Sequence, residues 1–500
     1  MKTKILSIAV LTLSATMAVA QNEDDAIRYS NVVPMGTAKF ISMGGAMGAI
    51  GGDMSAISIN PAGLGVYRKD QFSFTPMWYS EKSDAEMWYT DNNKNKQTNP
   101  SAKTNTTDFK FSNVGLVTVF PADADLGLVS FSSGIYYNRI ANFAGGYVAK
   151  GNNAVGSMLD KEVDEFNDDE AGGKIFFRSY LFRYDSIDKK YYNDYEWVGR
   201  YGSDQRKSVS TSGNMGEYCF ALGFNINDKY YLGGSLNIVR VNYKQVQDYY
   251  EKPDFDDIDL IDFNVTDEFI TAGGGVNMKL GVIGWLNDYL RFGASFQTPT
   301  ILNLTDDYGK RVDANVVDWI PNEDGTEYYP SPLNGSAESS GTLDWNLTLP
   351  SRFTGSLAFV APQRGMIDID CEIVNYSAAN IDDDDGLIYN DFADLNDRIA
   401  DIYHTTLNLR LGGELTFGPV VARGGFGFYG SPYKSSEVNS SASRKVFSLG
   451  MGYRTQHFSF DLGYSLASCK QTTYLYKYDY CGADLKTRNS ALAMTFGFRF

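Results

Sequence analysis

Along much of the chain, large apolar residues recur at every second position, with small or polar residues between them. At the C-terminus Leu492, Met494, Phe496, Phe498 and Phe500 alternate with Ala491, Ala493, Thr495, Gly497 and Arg499. The same period runs through Phe458 to Leu466, Phe447 to Tyr453, Leu407 to Phe417 and Tyr218 to Ile226. A period of two is that of a β-strand, whose successive side chains point to opposite faces. A soluble sandwich also alternates, but its polar outer face is seldom so rich in Gly, Ala and Ser. Small residues opposite a wall of Phe, Leu and Tyr fit strands with lipid on one side and a protein-filled lumen on the other. Strands are expected near 69–80, 108–121, 126–139, 215–226, 229–242, 265–284, 289–302, 344–360, 365–377, 402–417, 420–430, 443–454, 457–469 and 487–500. That is about fourteen, an even number, as in bacterial single-chain barrels. Short turns at 122–125, 227–228, 287–288, 362–364, 418–419 and 456 alternate with long polar segments. The short turns belong on the periplasmic side and the long loops outside. The expected fold class is all-β, a transmembrane antiparallel β-barrel.

The first twenty residues set the compartment. Lys2 and Lys4 precede the apolar run Ile5 to Leu13, and Ala18-Val19-Ala20 is the small-x-small pattern of a signal peptidase site. Residues 1–20 therefore read as a signal peptide cleaved after Ala20, with an apolar run too short to span a bilayer. No later stretch is long enough for a transmembrane helix, so the exported chain is either soluble or a barrel, and the alternation selects the barrel.

Composition narrows the partners. Forty-four Lys plus Arg against 61 Asp plus Glu give a charge of -17, which would repel a phosphate backbone and argues against nucleic acid. Two histidines and four cysteines supply little for a multi-His metal centre or a disulfide framework, and no metal or cofactor is expected. Much of the acid lies in Asp160 to Glu170, Asp254 to Asp262, Asp306 to Asp324 and Asp382 to Asp385. These read as solvated outer loops, with a calcium site as the alternative. The longest loop, Ala141 to Gly213, has room for short helices and cannot sit at membrane depth.

The stretch before the first strand differs in kind. Residues 36–67 read GTAKFISMGGAMGAIGGDMSAISINPAGLGVY. This resembles the N-terminal hatch of FadL/TodX-type outer membrane transporters, in which a Gly/Ala-rich segment ending in N-P-A-G-L plugs the barrel. The signature falls on Asn60, Pro61, Ala62, Gly63 and Leu64, preceded by Gly51, Gly52 and Asp53. Looser likeness continues in FGASFQTPT (292–300), LPSRFTGSLAF (349–359) and IDIDCEIVNYS (367–377). The division implied is signal peptide 1–20, hatch 21–67 and barrel 68–500. Independently of the family, small residues let a plug fold compactly, paired glycines permit unusual turns, and Asn60 before Pro61 favours a turn. The resemblance implies passive, non-enzymatic uptake of hydrophobic molecules, long-chain fatty acids or aromatic and other apolar compounds, through a lumenal site. Exit is sideways into the membrane where the third strand is kinked. It also implies a monomer in contact with outer membrane lipids and inserted by the barrel assembly machinery through the C-terminal strand ending at Phe500.

Four local features carry candidate chemistry. In the third strand Leu126 and Leu128 hold one phase while Val129, Phe131, Ile135 and Tyr137 hold the other. A slip there requires an extra residue, the signature of a β-bulge, and a lateral opening is expected at Val129, Ser130, Phe131, Ser132, Ser133 and Gly134. Strand phase turns Arg291, Arg352, Arg410, Arg423 and Arg499 inward together with Asp368, Asp370, Glu372, Glu414 and Asp461. Most should pair with each other or with the hatch, leaving Arg352 and Arg410 as candidates for a carboxylate head group. His404 and His457 fall at opposite rims with no Ser or Cys nucleophile arrangement, against an enzyme and against His-ligated haem, although tyrosine ligation stays open. Cys469 and Cys481 flank the last outer loop, where an oxidising compartment allows a disulfide. Cys219 is expected inward and Cys371 outward, both reduced. A nonspecific porin and a structural or adhesive barrel are the rival readings.

Overall fold

A strand that crosses a membrane must satisfy its backbone through its neighbours, so the alternating segments can only close on one another. The computed structural model describes residues 23–33, 35–122, 127–168, 173–321, 328–383, 392–476 and 479–500, and the expected signal peptide lies outside them. Fourteen antiparallel strands close the wall. They are β1 (Gln71–Thr90), β2 (Ala102–Pro121), β3 (Leu128–Asn142, continued by Gly145–Asn153), β4 (Ser203–Ile226) and β5 (Tyr230–Pro253). After β6 (Leu260–Trp285) come two interrupted strands, β7 (Leu290–Gln297 and Thr300–Pro321) and β8 (Tyr328–Leu349 and Arg352–Ala361). The circuit ends with β9 (Gly365–Asn375), β10 (Thr405–Phe417), β11 (Val420–Tyr429), β12 (Arg444–Arg454), β13 (Phe458–Tyr474) and β14 (Cys481–Arg499). β1 closes it, pairing with β14 from Gln71↔Arg499 to Tyr89↔Cys481 and with β2 on its other edge. The interruptions in β7 and β8 sit side by side, at Thr298-Pro299 and Pro350-Ser351, where a residue without an N–H breaks the ladder.

The strand count agrees with the alternation, but the strands are taller than the sequence indicates. β4 and β5 have 24 residues each, whereas roughly 9–11 cross a bilayer. β5 shows why the upper halves read as loops. In its lower part Leu232, Leu236 and Ile238 face out, opposite Gly233, Ser235 and Asn237. Further up, the outward positions are Arg240, Asn242, Lys244 and Asp248, while Val239, Val241, Tyr243 and Tyr249 point in and are buried. The polarity of the wall therefore inverts at the outer membrane surface: apolar outside below, apolar inside above. Asp306 to Asp318, expected in a loop, belong to β7, and Asp306 is fully buried.

Six α-helices complete the fold among the described residues: α1 (Glu23–Ser30), α2 (Ala38–Ser42), α3 (Leu159–Asp168), α4 (Lys174–Arg178), α5 (Asp194–Val198) and α6 (Ala393–Ile402). α3 to α5 lie in the expected long loop. Phe166, Phe176 and Tyr195 from them pack on Met87, Tyr249 and Phe263 of the tall strands, so a hydrophobic core caps the mouth. The expected Cys469–Cys481 bond is not formed. Both thiols are free, and the β13–β14 register sets Cys469 opposite Thr487, six positions from Cys481. That is about 20 Å along the strand, far beyond the reach of a disulfide.

Candidate functional site

Residues 35–67 lie against inward-facing positions of the wall, and the glycines there explain how. A Cβ on Gly223, Gly233, Gly425 or Gly463 would meet the backbone of Gly65, Pro61, Gly44 or Ala38 respectively. The small side of the alternation is thus the contact surface of the N-terminal segment. Within that segment Gly51 has φ +68° and a Cβ on it would come 2.6 Å from the Gly63 Cα, so both a left-handed turn and a close crossing require glycine. Asp53 accepts from Thr37 Oγ1 (2.9 and 2.8 Å) and from the Ser55 and Ala56 amides (2.9 and 3.3 Å). Asn60 caps the turn Pro61–Val66 by accepting from the Ala62 amide at 3.1 Å. Its amide nitrogen donates to Gly48 O (2.8 Å) and across to Val282 O of β6 (3.1 Å). Leu64 packs on Val117, Tyr136 and Ala221 of the wall.

The inward-facing Arg352, Arg410 and Arg423 are already engaged. Arg410, whose side chain is 0% exposed, lies 3.5 Å from Asp370 and 3.3 Å from Glu372, and Arg352 lies 3.2 Å from Glu372. Arg352 also donates to Ser30 O. The two arginines expected to await a head group are therefore neutralised, Arg410 beyond the reach of any solute. Arg423 binds Glu414 (2.7 Å) and Asp461 (2.8 Å). Asp370 and Asp368 also accept from the Met47, Gly48 and Ala49 amides at 3.2, 3.2 and 3.3 Å, and so fasten the N-terminal segment to β9. A buried pair that sequence patterning did not reveal is Lys279–Glu217 at 2.7 Å. Those residues sit on β6 and β4 with β5 between them, so no local spacing announces the contact.

The third strand departs from its expected course. A register shift does occur at Leu128/Ser130, but Ser130 to Gly134 are laddered to both β2 and β4, so the wall is closed there. Pairing with β2 ends higher, at Asn113↔Asn138, and a second register shift follows at Arg139/Ala141. Beyond it Gly145–Asn153 remains laddered to β4 and, among the described residues, shares no ladder with β2. It steps inward instead: the Gly146 amide donates to Glu81 Oε1 (3.0 Å), whose side chain points into the barrel, and the Thr104 side chain of β2 reaches across, donating to Gly146 O at 2.9 Å. At the fork Arg139 Nε donates to Phe111 O at 3.3 Å.

Behind this fork lies a cavity of about 410 Å³, bounded by Arg28, Asn31, Val32, Val33 and Met35, by Ala141 of β3 and the adjoining Phe143, and by Val446 of β12. Phe143 packs edge-on against Tyr29 of α1 (5.9 Å between ring centres) and Tyr243 (5.4 Å), and Arg28 stacks over Tyr243 at 4.5 Å. α1 and the kink of β3 thus share one aromatic cluster. Arg28 is paired with Asp25. Arg444, also on the cavity wall, donates to Asn31 O at 3.2 Å and makes no ion pair among the described residues.

Fourteen antiparallel strands, a lipid-facing apolar band and inward-facing positions packed against residues 35–67 define an outer membrane-type β-barrel. Its fold is similar to that of a Pseudomonas aeruginosa FadL homologue, 13% identical, with a TM-score of 0.56 over 94% of this chain and 99% of that one. A deletion mutant of the TodX monoaromatic hydrocarbon channel aligns at TM-score 0.50 and 12% identity over 93% and 98% of the two chains. The Pseudomonas putida toluene transporter TodX aligns over 94% and 99%, at 12% identity and TM-score 0.49. No family model matches the sequence, and no curated protein matches it.

Proposed function

We propose that the chain is a FadL-type channel through which small hydrophobic molecules cross the outer membrane passively, with residues 21–67 as its hatch. The observation that carries this reading is the fork between β2 and β3 with a cavity directly behind it. A solute in that cavity faces Phe143 and Val446 on one side and, through the fork, the lipid flanking Phe109 and Phe111. Lateral exit at residues 139–146 would let an apolar molecule enter the bilayer without meeting water, which is where its free energy is lowest. The capped outer mouth suits a selective channel better than an open porin. The acidic exterior disfavours anions at the entrance, so neutral aromatic or aliphatic compounds are the first substrate class. A fatty acid is the second, favoured by the unpaired Arg444 guanidinium, which can receive a carboxylate.

The test is uptake of a radiolabelled monoaromatic hydrocarbon and a long-chain fatty acid by cells whose polar-faced outer membrane carries the folded barrel. Val446→Trp, which narrows the cavity, is expected to slow uptake of both, and Arg444→Gln to slow only the fatty acid. Wild-type uptake equal to that of cells lacking the barrel would rule the reading out.

A further inference from the structure

The outer surface of the barrel carries a basic field that transport does not use. Strand phase places Lys82 of β1, Lys103 of β2, Lys445 of β12, Lys470 of β13, and Lys486 and Arg488 of β14 on the exterior. The register brings them together. Lys82 is opposite Arg488, Arg488 opposite Ser468, and Ser468 opposite Lys445. One row further out, Lys470 is opposite Lys486, Lys486 opposite Asp84, and Asp84 opposite Lys103. Adjacent strands lie about 4.8 Å apart, so six cations occupy a strip roughly 20 Å wide and two rows tall. All six are exposed, apart from Asp84 no acid shares the two rows, and among the described residues none of the six makes an ion pair. In a chain of charge -17 such an unpaired cluster runs against composition.

Its height is equally specific. Immediately below, the outward residues are Phe447 and Leu466 followed by Ser490 and Ser80, and the next row, Leu449, Tyr464, Leu492 and Trp78, is wholly apolar and lies in the lipid-facing band. From Phe72 near the inner rim to Lys82 is ten residues, or about 33 Å of strand and about 25 Å of height at the usual tilt, matching the thickness of the apolar band. The cations therefore stand at the level of the outer-leaflet head groups. A ligand meeting both zones must carry acyl chains and anionic groups together.

We propose that this strip binds an outer-leaflet lipid bearing more than one phosphate, with its acyl chains along Phe447, Leu449, Tyr464 and Trp78 and its phosphates among the six cations. Several cations spread over 20 Å suit separated phosphates better than a single head group, and each contributes electrostatic attraction near the surface. The site lies on the outer wall, so it does not depend on the transport reading.

The experiment is native mass spectrometry of the detergent-solubilised barrel titrated with bisphosphorylated lipid A, its dephosphorylated form and inorganic phosphate. Wild type is expected to hold the bisphosphorylated lipid at least tenfold more tightly than the dephosphorylated one, with inorganic phosphate failing to compete at millimolar levels. Neutralising Lys82, Lys445, Lys486 and Arg488 together to Gln is expected to weaken binding roughly 100-fold or more. Their Lys→Arg counterparts, and Arg488→Lys, should retain it. Heat-modifiable migration on gels checks that each variant is folded, and single Arg488→Gln and Lys486→Gln variants, each several-fold weaker, replace the quadruple one if it does not fold. Equal binding of the two lipids, equal binding by folded wild type and neutralised variants, or displacement by inorganic phosphate would overturn the assignment.

Discussion

The lower and upper halves of this barrel are built from the same strands but obey opposite rules. Below the outer membrane surface the wall is apolar outside, as with Leu232 and Leu280, and the lumen holds buried ion pairs such as Arg423–Glu414. Above it the same strands turn Val241, Phe263 and Trp345 inward into cores resembling those of a soluble protein. Solvent decides which face is apolar, and in β5 the register carries through both halves unchanged. The inward surface consequently serves each half differently: below, glycines and carboxylates grip the N-terminal segment; above, hydrophobic burial holds the cap.

Removing a lumenal charge strikes at this contrast hardest. Arg410→Met leaves Asp370 buried without its counter-ion and Glu372 with Arg352 alone, and a loss of about 3–5 kcal/mol is expected in denaturant unfolding of the reconstituted barrel. Next comes a pair of outward substitutions on either side of the boundary. Leu280→Arg, facing lipid, is expected to cost about 2–4 kcal/mol. Ser210→Arg, exposed on the upper part of β4, should stay within about 0.5 kcal/mol. Equal effects would mean that the boundary is misplaced. Smaller still, Asn60→Ala removes the cap of the Pro61–Val66 turn and its link to β6, at about 1 kcal/mol, read as faster proteolysis of residues 35–67.

A gentler perturbation is pH acting on the cap. Burial pushes the Glu196 carboxyl of α5 up from 4.5 to about 7, against the lowering pull of the Asn193 amide, with Asp160 and Asp164 raising it and Lys190 lowering it. A carboxyl raised on folding contributes its stabilisation below its unfolded pKa and loses it as pH climbs through the folded value. Hydrogen-exchange protection of residues 193–200 is therefore expected to fall between pH 4.5 and 7, and Glu196→Gln should flatten that slope.

Lipid writes itself plainly into sequence, which is why the strand number could be read from Phe, Leu and Gly in strict alternation. The upper halves were obscured because their outward Asn242, Lys244 and Asp248 look like loop residues, while the inward Val239, Val241 and Tyr243 keep a phase that a lipid-facing rule assigns to the lumen. In the N-terminal segment Asn60 and Gly51 were legible because turn chemistry is local, whereas Asp53 was singled out only by the family resemblance. Arg352 and Arg410 were placed inward correctly, but their partners come from neighbouring strands, and only the register reveals that Glu372 serves both. The phase slip at Leu128-Val129 is a real irregularity, but Ser130 to Gly134 beside it are laddered on both edges. Separation of β3 from β2 is a change of partner, and no residue in β3 encodes by itself which neighbour it will leave.

Lateral passage between β2 and β3 can be challenged by tying that fork shut. A Phe111→Cys/Arg139→Cys double variant, bridged by a short thiol cross-linker and verified by mass, should take up an apolar solute at least tenfold more slowly than the same protein unbridged. A reducible bridge should restore the rate once cleaved. Full uptake through a completely bridged, folded barrel would exclude exit at this fork.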